Sequence, residues 1–203
     1  MSELANILCT LARDAIETTL HGGNTADLVA SSKDAVDESD RDFMGDPGAT
    51  FVTLIRDGKL RGCIGSLRAV RSLAADVARN ASLAAADPRM EPVTLEELPD
   101  IHISISVLSK PTPWHVDNFR QLCAGLQPGI DGVTLRDGSR HATYLPAVWE
   151  HLPDPERFVA SLLKKGGWPE EFWENMRVVG RPWPPAMAVE RYKTTTYEEP
   201  RTQ

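Results

Sequence analysis

The sequence predicts an α+β fold. Strand-like and helix-like segments are mixed without regular β-α-β alternation, residues Ile101 to Leu108 alternate apolar and polar as a half-buried strand does, and two Asp-Gly pairs each sit between strand-like runs. Leu4, Ile7, Leu8, Leu11, Ala15 and Ile16 recur at helical spacing, and Gly22-Gly23 stops that opening helix, in which Cys9 packs. Residues 24–48 are polar and acidic, end in Asp46-Pro47-Gly48, and read as a long connection with room for a short helix. Thr50 to Arg56 is a strand, Asp57-Gly58 its turn, and Leu60 onward the returning strand. Ser72 caps a helix through Ala74, Val77, Ala78, Ala81 and Ala85, which ends before Asp87-Pro88-Arg89.

Thr94-Leu95-Glu96-Glu97 carries a capping-box pattern, and Pro99 limits it to about one turn. The alternating strand follows. Pro111, Pro113 and the weakly patterned stretch to Gly129 read as a crossover. Gly132 to Arg136 and Ala142 to Leu145 flank Asp137-Gly138 as a second hairpin. Asp154-Pro155 supplies an N-cap and a first-turn proline to a helix that Gly166-Gly167 ends. A short helix follows over Glu170 to Asn175, and a final strand lies within Ala186 to Thr196.

A chain of 203 residues, 41% of them hydrophobic, buries a core without disulfide or metal staples. Cys9, Cys63 and Cys123 are odd in number and widely spaced, which argues against a disulfide framework and for a reducing compartment. No apolar run approaches the roughly 20 residues of a membrane span, and Met1-Ser2-Glu3-Leu4 lacks a basic leader, so the expected location is cytoplasmic. A net charge of −7 argues against a general nucleic-acid binder. The bases Arg56, Lys59, Arg61, Arg68 and Arg71 cluster around one acid, Asp57, which points instead to a small anionic ligand.

That basic stretch contains Leu60-Arg61-Gly62-Cys63-Ile64-Gly65, a thiol set between two glycines inside a strand. Glycine there marks a bulge or the close approach of a ligand or another backbone. Regular alternation puts Arg61, Cys63 and Gly65 on one face, where the guanidinium favours a thiolate nucleophile. The competing reading is an inert, buried cysteine beside a surface arginine. His102 and His141 are the candidate bases if their strands share the sheet of Cys63. Asp87 and Arg89, around a rigid proline, either position an anion or close a turn with a salt bridge. No His-Glu-x-x-His or His-x-His spacing indicates a metal, and no phosphate loop, dinucleotide fingerprint or serine elbow is present.

At Leu60 to Gly65 the chain resembles the AMMECR1 family, and further landmarks match: Phe51 to Leu54, Ala86 to Arg89, Leu95 to Pro99, Ile105 to Ser109, Gly132-Val133 and Tyr144 to Pro146. The likeness covers about residues 4–195 of a single domain, 1–203. It implies a larger lobe with a mainly antiparallel sheet flanked by helices, a smaller α/β lobe, and the signature segment near the cleft between them. The candidate ligand-binding residues around Cys63 are Arg61, Gly62, Ile64, Gly65, Ser66, Asp87 and Arg89. Relatives named protein A of the AmmeMemoRadiSam system imply a Memo-like protein and a radical SAM protein as partners; no reaction and no cofactor are implied. Ala147 stands where the family has glutamine, and Ser66 replaces threonine while keeping a hydroxyl. Two functions follow: thiol-based catalysis on a small anionic substrate, or a non-catalytic binding or adaptor subunit using the same cleft.

Overall fold

A computed structural model describes residues 3–178 and 181–200. The chain forms two compact units, the first built from residues up to Leu108 and from Thr195 onward, the second from Ser109–Thr194. The described secondary structure is α+β throughout.

In the first unit, helix α1 (Glu3–Leu20) buries the predicted stripe of Leu8, Leu11, Ala12, Ala15 and Ile16. The polar connection that follows is more helical than its weak period suggests. It contains α2 (Ala26–Asp34), which buries no residue, and α3 (Glu38–Gly45), capped by Asp37 and anchored by Met44 alone. Both are too short to show a full apolar stripe and rest on neighbouring elements for stability. Strand β1 (Pro47–Gly48) precedes β2 (Thr50–Arg56) and β3 (Lys59–Gly65), which form the expected hairpin. Its turn residues Asp57 and Gly58 both take positive φ, as a tight two-residue hairpin turn requires.

Strand β4 (Arg71–Ser72) pairs with β1, and α4 (Leu73–Ala85) starts at Ser72, whose hydroxyl accepts from the Ala75 N–H. The capping box forms: Glu97 accepts from the Thr94 N–H and the Thr94 hydroxyl from the Glu97 N–H. Strand β5 (His102–Leu108) is the alternating segment.

After the second unit, β10 (Thr194–Glu198) completes a four-stranded sheet in the order β10-β5-β2-β3. The final strand expected from the sequence is thus two strands, because β9 (Ala188–Tyr192) belongs to the other sheet. Val52, Leu54, Ile103 and Ile105 from one face of the first sheet share a core with α1 and α4. Arg13 of α1 ties the ends together, donating to Glu199 and to the carbonyls of Leu98 and Ile101.

The second unit contains β6 (Thr112–Pro113), α5 (Phe119–Gly125), β7 (Gly132–Asp137), β8 (Arg140–Tyr144), α6 (Pro155–Lys165) and α7 (Glu170–Arg177). Its sheet runs β6-β9-β7-β8, antiparallel throughout. The expected crossover hides α5, whose seven residues are too few to display a helical period. Trp149 stacks on Phe158 at 3.7 Å between ring centroids within a core that includes Leu135, Leu162 and Trp168.

Candidate functional site

Strand β3 is an edge strand, and its pairing with β2 sets the geometry around Cys63. Thr53 lies opposite both Cys63 and Ser104, so Cys63, Thr53 and Ser104 form a row across three strands. Residues 51, 53, 55, 63, 65, 102, 104 and 106 share the face opposite the core by alternation, and all of them are half-buried. The Thr53 hydroxyl donates to the Cys63 Sγ at 3.4 Å. Cys9 and Cys123 are buried, and burial pushes both thiols up to about 12. Of the three cysteines, only Cys63 reaches the surface.

An unprotected edge strand offers unpaired backbone groups to any passing chain. Here Asp87 and Arg89 close the edge with side chains. The Asp87 carboxylate accepts the Cys63 N–H at 3.0 Å, and Arg89 donates to the Cys63 carbonyl at 2.9 Å. The same carboxylate accepts from Arg89 through its backbone N–H and two guanidinium nitrogens. The Asp87 side chain is 1% exposed and that of Arg89 61% exposed. The Arg89 hydrogen bond is the main cause that holds the Asp87 carboxyl well below the usual carboxylate range. Asp87-Pro88-Arg89 therefore closes a turn with a salt bridge and, in the same arrangement, presents a fixed cation beside the thiol.

The expected position of Arg61 is corrected. The β2–β3 register slips between Leu54 and Ile55, which pair with Gly62 and Leu60, so Arg61 is the extra residue of a β-bulge. The bulge takes it out of the alternation that would have set it beside Cys63. Its guanidinium meets Glu97 through two nitrogens at 3.0 and 2.9 Å and donates to the carbonyls of Glu91 and Pro92. Glu97 also accepts from Arg56 at 2.7 Å.

With Arg61 as the leading cause, the Glu97 carboxyl is pulled down to about 2. The folded value lies below the unfolded one, so this contribution to stability is complete above about pH 4.5 and is lost as pH falls through about 2. Asp87 acts with the same sign. The urea midpoint should fall between pH 5 and pH 2. Glu97→Gln should lower stability at neutral pH by about 1–3 kcal/mol and flatten that fall; an unchanged pH profile in the variant would contradict this assignment.

The remaining motif residues serve the fold. A Cβ on Gly62 would lie 2.1 Å from the Ala84 carbonyl oxygen near the end of α4, and one on Gly65 would enter the Phe51 ring at 2.2 Å. The close approach that the glycines permit is thus made by the chain itself. Ile64 packs against the core of the first unit. The Ser66 hydroxyl donates to buried Asp76 at 2.8 Å, and its N–H to the Thr50 carbonyl. Asp76, fully buried, also accepts from Thr50, Asn80 and Arg71.

Neither histidine joins the thiol in a bonded pair. His102 lies opposite Ile55, two residues along from Ser104. Two strand spacings of about 4.8 Å and two residues of about 3.4 Å put its Cα about 12 Å from that of Cys63. Its Nε2 is instead 4.0 Å from Glu198. His141 belongs to the second unit, exposed on β8 opposite Arg136. Sequence reasoning missed Thr53 as the hydroxyl bonded to the thiol and Glu97 as the partner of Arg61. The capping-box pattern marked Glu97, but only its local role was visible. No group of three or more His, Cys, Asp or Glu side chains fit to hold a metal occurs among the described residues.

Fold and site together define a class: a two-unit α+β protein in which the open edge of a Gly-Cys-Ile-Gly strand is closed by an Asp-x-Arg pair. Residues 9–180 match the AMMECR1 family, and the chain belongs to that family. It is 35% identical over 167 residues to a protein of Methanothermobacter thermautotrophicus, covering 81% of this chain and 82% of the relative. It is 32% identical to a protein of Methanocaldococcus jannaschii, covering 80% and 78%. The crystal structure of an uncharacterised protein from Pyrococcus horikoshii superposes with a TM-score of 0.78 at 26% identity, over 98% of this chain and 93% of that one.

Proposed function

We propose that this chain is a non-catalytic binding subunit whose site is centred on Cys63 and receives a small anionic group on Arg89. The observation that carries this reading is the clamp of buried Asp87, which holds an exposed guanidinium against the Cys63 backbone. A cation fixed by a buried partner loses little freedom on binding a carboxylate or phosphate. The thiol has a hydroxyl donor, Thr53, and no imidazole or carboxylate hydrogen-bonded to it among the described residues, which favours a contact role over that of a nucleophile with its own base. In this proposal the subunit works in the cytoplasm with a Memo-like and a radical SAM protein, as its family resemblance implies. No helix among the described residues is long and apolar enough to cross a membrane.

Native mass spectrometry of wild type, Cys63→Ala and Arg89→Ala with anionic metabolites and the two partner proteins tests this reading. Arg89→Ala should weaken anion binding by about tenfold or more, and Cys63→Ala should keep it. Loss of binding in Cys63→Ala with retention in Arg89→Ala, or alkylation of Cys63 faster than that of an ordinary thiol, would replace this proposal with thiol-based catalysis.

A further inference from the structure

Helices α1 and α2 line a groove of about 260 Å³, half-open to solvent, that shares no residue with the Cys63 site. Its apolar wall is formed by Ile7 and Leu11 of α1 and Leu28 of α2. Because α2 buries none of its residues, Leu28 is left half-buried beside this space. The two serines at the groove are already satisfied: Ser31 donates to the Asp27 carbonyl and Ser32 to that of Val29.

Asp14 is different. It is the one ionisable residue among those lining the groove, and its carboxylate has no hydrogen-bond or ion-pair partner among the described residues. The neighbouring cation, Arg13, is held by Glu199 and by two carbonyls. Burial first, and then the charge of Glu17, pushes the Asp14 carboxyl up against a smaller opposing pull from Arg13. A half-buried carboxylate lining a partly apolar groove, with an acid as its neighbour and the adjacent Arg13 engaged by Glu199, is complementary to a positive ligand with an apolar body.

We propose that the α1–α2 groove binds a small organic ammonium ion, its charged head on Asp14 and its apolar body against Ile7, Leu11 and Leu28. At about 260 Å³ the space is below the usual range for drug-sized ligands and suits a compact amine. The ammonium would pair with the half-buried carboxylate through a charge-assisted hydrogen bond, and the stem would displace water from the apolar wall.

The test is an amide NMR titration of the full chain with phenethylammonium, and with 2-phenylethanol and 3-phenylpropionate as neutral and anionic counterparts. The ammonium should shift resonances of the α1 and α2 residues that line the groove. The alcohol should bind about tenfold more weakly or worse, as should the ammonium with Asp14→Asn. Asp14 is half-buried on a helix surface, so this variant should keep the wild-type thermal midpoint. Thr10→Phe, at an exposed lining position, should block the groove and abolish the response. Equal binding of alcohol and ammonium, unchanged affinity in Asp14→Asn, an unaltered response in Thr10→Phe, or no shift at about 5 mM probe would overturn the proposal.

Discussion

Gly62→Ala should destabilise the first unit by about 3 kcal/mol, at the upper end of the cost of overpacking a well-filled core. The added Cβ would lie 2.1 Å from the Ala84 carbonyl oxygen, an atom of the helix backbone that no side-chain rotation can move. Either β3 or the end of α4 must shift. The α4 end leads directly into Asp87, so such a shift should also loosen the clamp on Cys63. Gly62→Val should leave the unit unfolded or molten. Gly65→Ala is the comparison, because there the obstacle is the Phe51 ring, which belongs to a side chain able to turn; its cost should be clearly smaller. Urea unfolding of the three variants provides the measurement, and equal midpoints for Gly62→Ala and wild type would contradict the packing assignment.

Asp76→Ala should cost about 3 kcal/mol, the lower end of the range for removing one partner of a buried ion pair, because Arg71 is 30% exposed. Asp76 is fully buried and serves two groups of donors at once. One oxygen takes the Thr50 N–H, the Thr50 hydroxyl and the Asn80 amide; the other takes the Ser66 hydroxyl and Arg71. Truncation leaves the donors of fully buried Thr50 and Asn80 without their acceptor, while Ser66 and Arg71 keep access to water. Asp76→Asn keeps the shape and one acceptor and should lose less. The amide of Ser66 should also exchange faster in Asp76→Ala, since the carboxylate pins the turn that leaves the signature strand. A loss below about 1 kcal/mol in denaturant unfolding would show that the network relaxes around the gap.

The helices with long apolar stripes, α1, α4 and α6, were legible in the sequence, as were both hairpins and the alternating strand β5, because their signals are local. A period of 3.6 or 2, a capping serine and a pair of turn residues act over a few positions. Of the shorter helices, α7 was expected, α2 and α3 showed only as room for one short helix in residues 24–48, and α5 was hidden, because seven to nine residues establish a period weakly and tertiary contacts support them. The division of residues 186–198 between two sheets was equally hidden, because strand partners come from distant parts of the chain.

The same line divides the candidate site. Sequence alone determined that a thiol stands between two glycines in a strand, that a basic stretch surrounds it, and that Asp87-Pro88-Arg89 is a rigid charged turn. Only the tertiary structure decided which charges meet. A one-residue bulge removed Arg61 from the thiol's row and joined it to Glu97, while the end of α4 delivered Asp87 and Arg89 to the open edge of β3. The physical reason is that side-chain alternation is a local property of regular backbone, whereas a bulge, an edge and an ion pair are properties of how separate segments fit together.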